Sequence, residues 1–387
     1  MTAPAVTEPP PPTPEQAEAI GTRERDVFCE AGAGSGKTRV LVGRYCDAVT
    51  DDGVGIDEVL AFTFTERAAA ELRQRIRREL GARAAHAARA GAAAGAAELR
   101  ALARATESAW VTTIHGFCRR LLATHPVAAG LDPRFRVLAA DEADRLRERA
   151  IGETIRELAE EGDEATMRAI AAYRPWRVGR IVAAAHERLR SQGMSEPALP
   201  EVGIPEHSHR DSDKRRELTP DEIRSALEAR ATLQRVLSLA GARYEQHKAR
   251  RSGLDFADLE LRSVELLRDS PAVAEAWAGR FRHVMVDEFQ DTNLVQLELV
   301  ERLRGPQTRL FTVGDEHQSI YRFRNADLEV FRAERERAHA EPDTAVLPLR
   351  GNFRSCPEVL EVANALGATL LDGFVPLEAM RDAAGDG

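Results

Sequence analysis

The stretch "EAGAGSGKTRVLVGRY", from Glu30 to Tyr45, joins a glycine-rich loop to an apolar segment with helical spacing. It contains the pattern GxxxxGK[ST], with alanine at the first position, Ala31. Glycines let the backbone of such a loop curl so that its N–H groups point at phosphate oxygens, and a following helix adds the positive end of its dipole. We therefore predict a phosphate-binding loop between a strand and a helix, in which Lys37 reaches the outer phosphates and Thr38 ligates Mg²⁺. A glycine-rich turn that binds nothing is the alternative, and the complete GKT sequence disfavours it.

Six short apolar runs, rich in β-branched residues, surround this loop, and most of them are followed by a segment with helical spacing. This alternation predicts an α/β fold, with a parallel sheet that is covered by helices on both faces. The runs are residues 26–30, 58–64, 109–114, 283–289, 309–315 and 345–350.

Residues 136–257 lie between the third and fourth runs and are rich in Arg, Glu, Ala and Leu at helical spacing, with no convincing strand. They predict an all-helical insertion into a core formed by residues 13–135 and 258–348. Within the insertion, the polar and proline-containing segment 191–217 predicts an exposed loop or disorder. The Ala/Arg-rich segment 81–105 predicts a solvated helix that is interrupted at its glycines.

Composition sets outer limits on the function. The chain has 387 residues, enough for about two or three domains. Its net charge of -9 argues against a protein that coats nucleic acid non-specifically, but it is compatible with a narrow basic groove. No apolar run approaches the ~20 residues of a membrane span.

The N-terminus and the cysteines bear on cellular location. Residues 1–12 are rich in proline and lack the basic and apolar regions of a secretory signal, so they predict a disordered tail. The four cysteines lie far apart with no CxxC pair, which argues against a zinc or iron–sulfur site and suits a cytoplasmic protein.

A second segment, "HVMVDEFQDTN" (283–293), supplies the acids that a phosphate loop requires. Its apolar residues predict a strand that delivers Asp287 and Glu288 at its carboxyl end, where ligands bind in open α/β sheets. Asp287 would hold Mg²⁺, and Glu288 would orient and deprotonate an attacking water. Two solvated neighbouring acids are the alternative. Together the two segments predict a nucleotide hydrolase, a class that includes kinases, GTPases and motors.

Further segments resemble, in the same order, the motifs of the UvrD/RecB-type superfamily 1 helicases. The resemblance covers roughly residues 13–364, and it is most specific in the segments 286–293 and 313–327. The segments are "TPEQAEAI" (13–20), "AGAGSGKTRVL" (31–41), "AFTFTERAAAELRQRI" (61–76), "VTTIHGFCRRLL" (111–122), "VDEFQDTN" (286–293), "VGDEHQSIYRFRNAD" (313–327) and "LRGNFRSCPEVLEVAN" (349–364).

This resemblance implies a RecA-like P-loop core that uses ATP and Mg²⁺ in an ATP-dependent DNA helicase, of 3′–5′ polarity and acting in DNA repair or recombination. It implies that Gln16 reads the adenine edge, that Phe353 stacks on the adenine ring and that Gln318 contacts the γ-phosphate. Arg354 would add positive charge there, as arginine does in phosphoryl transfer generally. The implied nucleotide-binding residues are Gln16, Ala31, Gly32, Ala33, Gly34, Ser35, Gly36, Lys37, Thr38, Arg39 and Phe353, with Thr38 and Asp287 on the metal and Lys37, Glu288, Gln318 and Arg354 in catalysis.

The resemblance also implies a binding surface for single-stranded or tailed duplex DNA. Aromatic rings provide stacking platforms for bases without sequence preference, and arginines attract phosphates. For His115 an ordinary core histidine is the alternative, and for the arginines near Arg67 a solvated helix face is the alternative. The implied DNA-binding residues are Phe64, Arg67, His115, Tyr321 and Phe323.

The C-terminal part predicts an incomplete motor. Residues 349–387 are expected to begin a second RecA-like core, and we find no counterpart of the family's motifs V and VI. The chain is therefore expected to be the N-terminal portion of a longer helicase, in which nothing would hold Arg354 beside the nucleotide. The segment "TIHGFCRRLL" (113–122) is similar to RecB and AddA-like proteins, which is compatible with a partner helicase–nuclease subunit.

Two other functions remain open at this point. One is a nucleotide-gated module that binds single-stranded DNA or a partner without motor activity. The other is a P-loop ATPase that acts on something other than DNA, which the segment 313–327 disfavours.

Overall fold

The computed structural model separates into two compact units. The sheet unit comprises Met1–Phe117 and Leu267–Gly387, and the helical unit comprises Cys118–Leu266. Side chains and backbone are described for residues 11–201, 219–319, 327–371 and 373–381, and backbone alone for residues 207–208 and 216–217.

Strands in the described part of the chain are mostly short and buried. They are β1 (Asp26–Ala31), β2 (Val59–Thr63), β3 (Trp110–Thr113), β4 (Arg136–Val137), β5 (His207–Ser208), β6 (Arg216–Glu217), β7 (Gly253–Leu254), β8 (His283–Val286), β9 (Arg309–Gly314), β10 (Thr344–Leu349), β11 (Gly351–Asn352) and β12 (Glu378–Ala379).

Helices account for most of the remaining described residues. They are α1 (Pro14–Gly21), α2 (Lys37–Thr50), α3 (Glu66–Arg89), α4 (Ala93–Ala105), α5 (Ile114–Thr124), α6 (Ala140–Glu160), α7 (Glu164–Tyr173), α8 (Pro175–Ser191), α9 (Pro220–Ala249), α10 (Phe256–Asp269), α11 (Pro271–Ala278), α12 (Leu294–Arg302), α13 (Leu328–Ala340) and α14 (Pro357–Leu370).

The sheet unit is built on a six-stranded sheet in the order β10–β1–β9–β8–β2–β3. Every neighbouring pair in it is parallel, so all six carboxyl ends lie at one edge. The six strands coincide with the six apolar runs in the sequence, within one residue at the ends except for β8, which ends three residues before its run does. The α/β prediction is therefore confirmed, and the sheet is that of a RecA-like core.

Burial explains why these runs form strands in the middle of the sheet. All five residues of β2 and all four of β8 are buried, as expected for strands that helices cover on both faces. Helix α3 follows β2 and packs on the sheet with one face only. Its buried positions recur every three to four residues, at Ala69, Leu72, Ile76, Leu80 and Ala84.

The Ala/Arg-rich segment forms two helices, as its glycines predicted. Helix α3 ends at Arg89 and α4 begins at Ala93, and Gly91 between them has φ +81°. That left-handed backbone suits glycine. Gly81 and Gly95, by contrast, lie inside the helices.

The helical unit has its own core, contributed mainly by α6, α8 and α9. Its bounds, Cys118–Leu266, are wider than the insertion 136–257 expected from the sequence. It also contains short strands that the sequence did not reveal: β4 pairs with β7 in parallel, and β5 pairs with β6 in antiparallel. Residues 202–206 and 209–215 of the expected loop 191–217, and residues 1–10 of the expected tail, lie outside the described residues.

The segment after β10 forms a small two-stranded sheet, in which β11 pairs with β12 in parallel. Helix α14 lies between these strands in the chain and buries Leu360. Several other apolar side chains of this segment are exposed, namely Val359, Val362, Leu366, Leu370, Leu371, Val375 and Met380.

Two further findings concern the described residues as a whole. None of their helices combines the length and apolar character of a membrane span. All four cysteines are unpaired, and Cys29, Cys46 and Cys118 are buried.

Candidate active site

The glycine-rich loop connects β1, which ends at Ala31, to α2, which begins at Lys37. Gly34 and Gly36 have φ values of +70° and +87°, in the left-handed region that glycine favours. A Cβ atom at Gly36 would lie 2.6 Å from the Gln16 Nε2 atom. The predicted loop between strand and helix is therefore present, and its glycines are required by backbone conformation and by space.

Gln16 braces this loop from α1. Its side chain is buried, accepts a hydrogen bond from the Thr13 N–H (3.3 Å) and donates one from Nε2 to the Ser35 carbonyl (2.9 Å). The first bond, with the reciprocal bond from the Gln16 N–H to the Thr13 hydroxyl, forms a capping box at the start of α1. Gln16 is thus held against the loop, and its contact with adenine stays a prediction.

Lys37 links the loop to two other strand ends. Its Nζ atom lies 2.7 Å from Glu288 Oε2 and 3.4 Å from Gln318 Oε1. Glu288 follows β8, and Gln318 follows β9. Three predicted catalytic side chains from distant parts of the chain therefore meet at the carboxyl edge of the sheet.

Gln290 and Asp315 complete a closed ring of hydrogen bonds with these three residues. Gln290 Nε2 donates to Glu288 Oε2 (3.0 Å), and the Asp315 N–H donates to Gln290 Oε1 (3.0 Å). Gln318 Nε2 in turn donates to the Asp315 carboxylate. Sequence reasoning missed Gln290, although its place in "DEFQDTN", two residues after Glu288, was a signal that could have identified it.

Carboxyl groups crowd this part of the edge. Burial, and then the negative charge of Glu288, raise the pKa of Asp287 to about 7, against the opposing charge of Lys37. The same two causes raise the pKa of Asp291 to about 6. Glu288 has a left-handed backbone, with φ +50°, which is uncommon for a residue other than glycine. Such unusual backbone conformations cluster at functional sites.

The donors near the loop fit Mg²⁺, a hard cation that prefers oxygen ligands. Thr38 and Asp287 offer a hydroxyl and a carboxylate. No group of three or more His, Cys, Asp or Glu side chains suited to a metal occurs among the described residues. Proteins usually bind Mg²⁺ through one or two side chains together with phosphates and waters.

The backbone of the segment that carries Phe353 and Arg354 is held against the loop by hydrogen bonds. The expectation that nothing holds Arg354 beside a bound nucleotide stays a prediction. Asn352 Nδ2 donates to the Ala33 carbonyl (2.6 Å), and the Phe353 N–H donates to the Gly34 carbonyl (2.9 Å). Asn352 Oδ1 also accepts from the Arg354 N–H (2.9 Å). Asn352 thus bonds to polar groups of both segments at once, and no pattern in the sequence indicated this bond. The Arg354 side chain is exposed.

The described candidate DNA-binding residues lie at the other end of the same edge. Phe64 follows β2 and His115 lies at the start of α5, directly after β3, and these two strands are neighbours in the sheet. Both side chains are half-buried, whereas Arg67, in the first turn of α3, is exposed. Tyr321 and Phe323 lie outside the described residues.

The order of the strands fixes the order of the candidate residues along the edge. The residues predicted to bind the nucleotide follow β10, β1, β9 and β8, which are consecutive in the sheet. Phe64 and His115 follow β2 and β3, at the other end of the sheet. Gln318 follows β9, and β9 lies between β1 and β8 in the sheet. Gln318 therefore belongs to the group of residues predicted to bind the nucleotide. The next residues in the chain, 320–326, lie outside the described part. One edge thus carries both groups of predicted ligand contacts.

Comparison with known proteins shows which family this sequence resembles. The family model of the UvrD/REP helicase N-terminal domain matches residues 12–339. The chain is 33% identical to the ATP-dependent DNA helicase UvrD1 of Mycobacterium tuberculosis over 364 residues, which cover 91% of the chain and 38% of that relative. It is 28% identical over 355 residues to DNA helicase II of Escherichia coli, covering 91% of the chain and 39% of that protein.

A third relative, the ATP-dependent DNA helicase PcrA of Bacillus subtilis, is 29% identical over 352 residues, again 91% of the chain and 38% of the relative. The chain therefore spans a little under two fifths of the length of these curated relatives.

Proposed function

This chain belongs to the UvrD/REP helicase family, and from that membership we propose that it is the ATP-binding part of an ATP-dependent DNA helicase or translocase. The observation that carries the proposal is the hydrogen-bonded ring of Lys37, Glu288, Gln290, Asp315 and Gln318. It joins the phosphate loop to the ends of β8 and β9. Each of these three segments corresponds to a motif by which the family handles ATP.

The phosphate loop would bind the nucleotide. Its N–H groups and the start of α2 favour phosphate oxygens, and Lys37 would contribute a positive charge at the outer phosphates. Thr38 and Asp287 would hold Mg²⁺, which when bound supplies further positive charge to the phosphates. The Ser35 Oγ atom is buried and has no hydrogen-bond partner among the described residues. A bound phosphate would offer such an atom an acceptor.

Glu288 would act as the general base toward water. Its carboxylate is already oriented by hydrogen bonds from Lys37 and Gln290, at 2.7 and 3.0 Å. Proton transfer by a positioned carboxylate typically contributes about 10²–10⁴-fold to a rate. Gln318 touches Lys37 and would meet the γ-phosphate, and the segment that follows it would meet DNA through Tyr321 and Phe323.

DNA would bind at the β2 and β3 end of the edge. Phe64 and His115 would face the bases, and Arg67 would attract the phosphates. Three further properties are inferred from the resemblance alone and belong to the same proposal. They are a polarity from 3′ to 5′, a role in DNA repair and a partner helicase–nuclease subunit.

The test is a measurement of ATP hydrolysis by this chain with and without single-stranded DNA. The proposal expects Mg²⁺-dependent turnover that DNA increases. The variant Lys37→Met removes the charge and keeps the length of the side chain, so it should lose nucleotide affinity while its melting temperature stays near that of the parent. Unchanged nucleotide affinity in that variant would contradict the phosphate-loop assignment. Tight binding of both ligands without turnover would instead favour the nucleotide-gated DNA-binding module.

A further inference from the structure

The corner between α7 and α8, in the helical unit, exposes two large aromatic side chains. Tyr173 is 48% exposed and Trp176 is 60% exposed. The chain has two other tryptophans, Trp110 and Trp277, and each is only 5% exposed within an aromatic cluster of the sheet unit. Tyrosine and tryptophan are enriched at binding surfaces, because each has a large apolar ring and a polar group.

The same corner carries three exposed arginines, Arg174, Arg177 and Arg180. The sequence contains no Asp or Glu between Glu164 and Glu187, in a chain where acids outnumber bases by 63 to 54. Arg174, Arg177 and Arg180 are exposed, and no ion pair found among the described residues includes any of them. Most other arginines of the helical unit, such as Arg145 with Asp141, pair with a carboxylate.

Helix α8 places Trp176 and Arg180 on the side away from the helical core. Val178, Val182 and Leu189 bury one face of α8 in the helical core. Trp176 and Arg180 are one helical turn apart on the opposite, exposed face.

The backbone of the corner is fixed by hydrogen bonds. The N–H of Arg174 donates to the Ile170 carbonyl (2.8 Å), and its own carbonyl accepts from the N–H groups of Arg177 (3.1 Å) and Val178 (3.2 Å). Arg174 alone separates the two helices, with φ +64°. Side chains on such a frame lose little backbone freedom when they bind a ligand.

We propose that this corner, Tyr173 to Arg180, is a second binding site for single-stranded nucleic acid. Unpaired bases would stack on Trp176 and Tyr173, and the guanidinium groups of Arg174, Arg177 and Arg180 would contact the phosphates. Duplex hides the faces of its bases, so the aromatic side chains favour unpaired nucleotides. The proposal rests on the proposed function only in that DNA is the polymer the protein meets.

Trp176 itself reports on the test, because the other two tryptophans are buried. Oligo(dT) is titrated into the intact chain while tryptophan emission and oligonucleotide anisotropy are both followed. A matched oligonucleotide without bases presents the same phosphates and no stacking partner. Oligo(dT) should quench the emission, and the abasic strand should quench it much less.

Substitutions separate stacking from charge. Trp176→Ala should weaken oligo(dT) binding at least about fivefold and abolish the quenching. Arg177→Ala and Arg180→Ala should each lower the slope of log affinity against log salt by about 0.7, the value for one phosphate on a single strand. Arg145→Ala, an exposed but paired arginine of the same unit, should leave that slope unchanged.

Binding seen by anisotropy without any change of emission would overturn the proposal, as would equal quenching by the abasic strand or an unaltered affinity of Trp176→Ala. None of these outcomes touches the proposed function, which is tested separately by the ATP turnover of the sheet unit's variants. The converse outcome is that oligo(dT) fails to stimulate ATP hydrolysis and still quenches the tryptophan emission. That result would contradict the proposed motor function and would support this second site.

Discussion

Glu288 is the residue on which the chemical proposal depends most directly. The variant Glu288→Gln keeps the size of the side chain and an oxygen able to accept from Lys37, but it removes the base. We expect ATP affinity close to that of the parent and turnover lower by about 10²–10⁴-fold. Nucleotide titration and steady-state hydrolysis measure the two effects. A fall in turnover of less than about tenfold would mean that Glu288 is not the general base.

Single residues were predictable where a motif fixes their chemistry. Lys37, Glu288 and Gln318 were expected from their motifs, and the structure brings them together within hydrogen-bonding distance. Gln290 was missed although it lies in the same motif as Glu288, and Asn352 was not expected, because each makes a contact with a segment distant in the chain. An amide in a sequence carries no mark of the partner it will bond.

At the scale of elements, Gln290 links the ends of β8 and β9, and it is only 2% exposed. The variant Gln290→Leu keeps the bulk and removes both side-chain bonds. We expect kcat to fall roughly tenfold, because one hydrogen bond to a charged group contributes about 1.5 kcal/mol. The KM for ATP should change little, and stimulation by DNA should decrease. Steady-state kinetics with and without DNA checks this.

Gln307→Leu, an exposed position before β9, is the matched control for that substitution and should leave both parameters unchanged. A purely structural role for Gln290 would lower the melting temperature of Gln290→Leu without changing the ratio of DNA-stimulated to basal turnover.

The loop and the segment before α14 form a second pair of linked elements. A Cβ at Gly34 would lie 2.9 Å from both Arg354 Cβ and Asn352 Nδ2, so Gly34→Ala should displace that segment and weaken nucleotide binding. Gly53→Ala provides the control, because Gly53 has a similar φ of +65° but open space around it. Both variants should lose about 1–2 kcal/mol of stability from backbone strain. Equal nucleotide affinity in the two variants would contradict the coupling.

The strands were predictable as elements because apolar, β-branched runs mark buried parallel strands wherever they occur. Their order in the sheet was not predicted, since it depends on which helices pack on which face. The two-residue strands of the helical unit escaped notice, because two residues show no periodicity.

At the scale of the whole molecule, buried histidines predict how stability depends on pH. Burial, and then the charge of Arg190, lower the pKa of His186 to about 3. The unfolded chain therefore takes up this proton first as the pH falls below about 6.5, and the native state loses stability. We expect a loss of about 1–2 kcal/mol between pH 7 and pH 5 from this residue.

Thermal unfolding at the two pH values measures the effect. His186→Phe should make the melting temperature depend less steeply on pH, whereas His86→Phe, at an exposed position of α3, should not. An identical pH dependence in the parent and in His186→Phe would show that this histidine is not the group responsible.

The sequence predicted a helical insertion over residues 136–257, whereas the helical unit of the structure spans Cys118–Leu266. Helices α5 and α10 run across both junctions, Phe117–Cys118 and Leu266–Leu267, without interruption. A composition change or a turn marks a boundary only where a linker exists, and here a continuous helix hides it.

We propose that one edge of the sheet couples the binding of the nucleotide to the binding of DNA. Coupling between two sites is reciprocal and does not require hydrolysis, so it can be measured in Glu288→Gln. The most direct test is the affinity of that variant for single-stranded DNA with and without saturating ATP–Mg²⁺. We predict a change of at least about fivefold in the affinity for DNA, and a smaller change when Gln290→Leu is added. An identical DNA affinity under both conditions would contradict it.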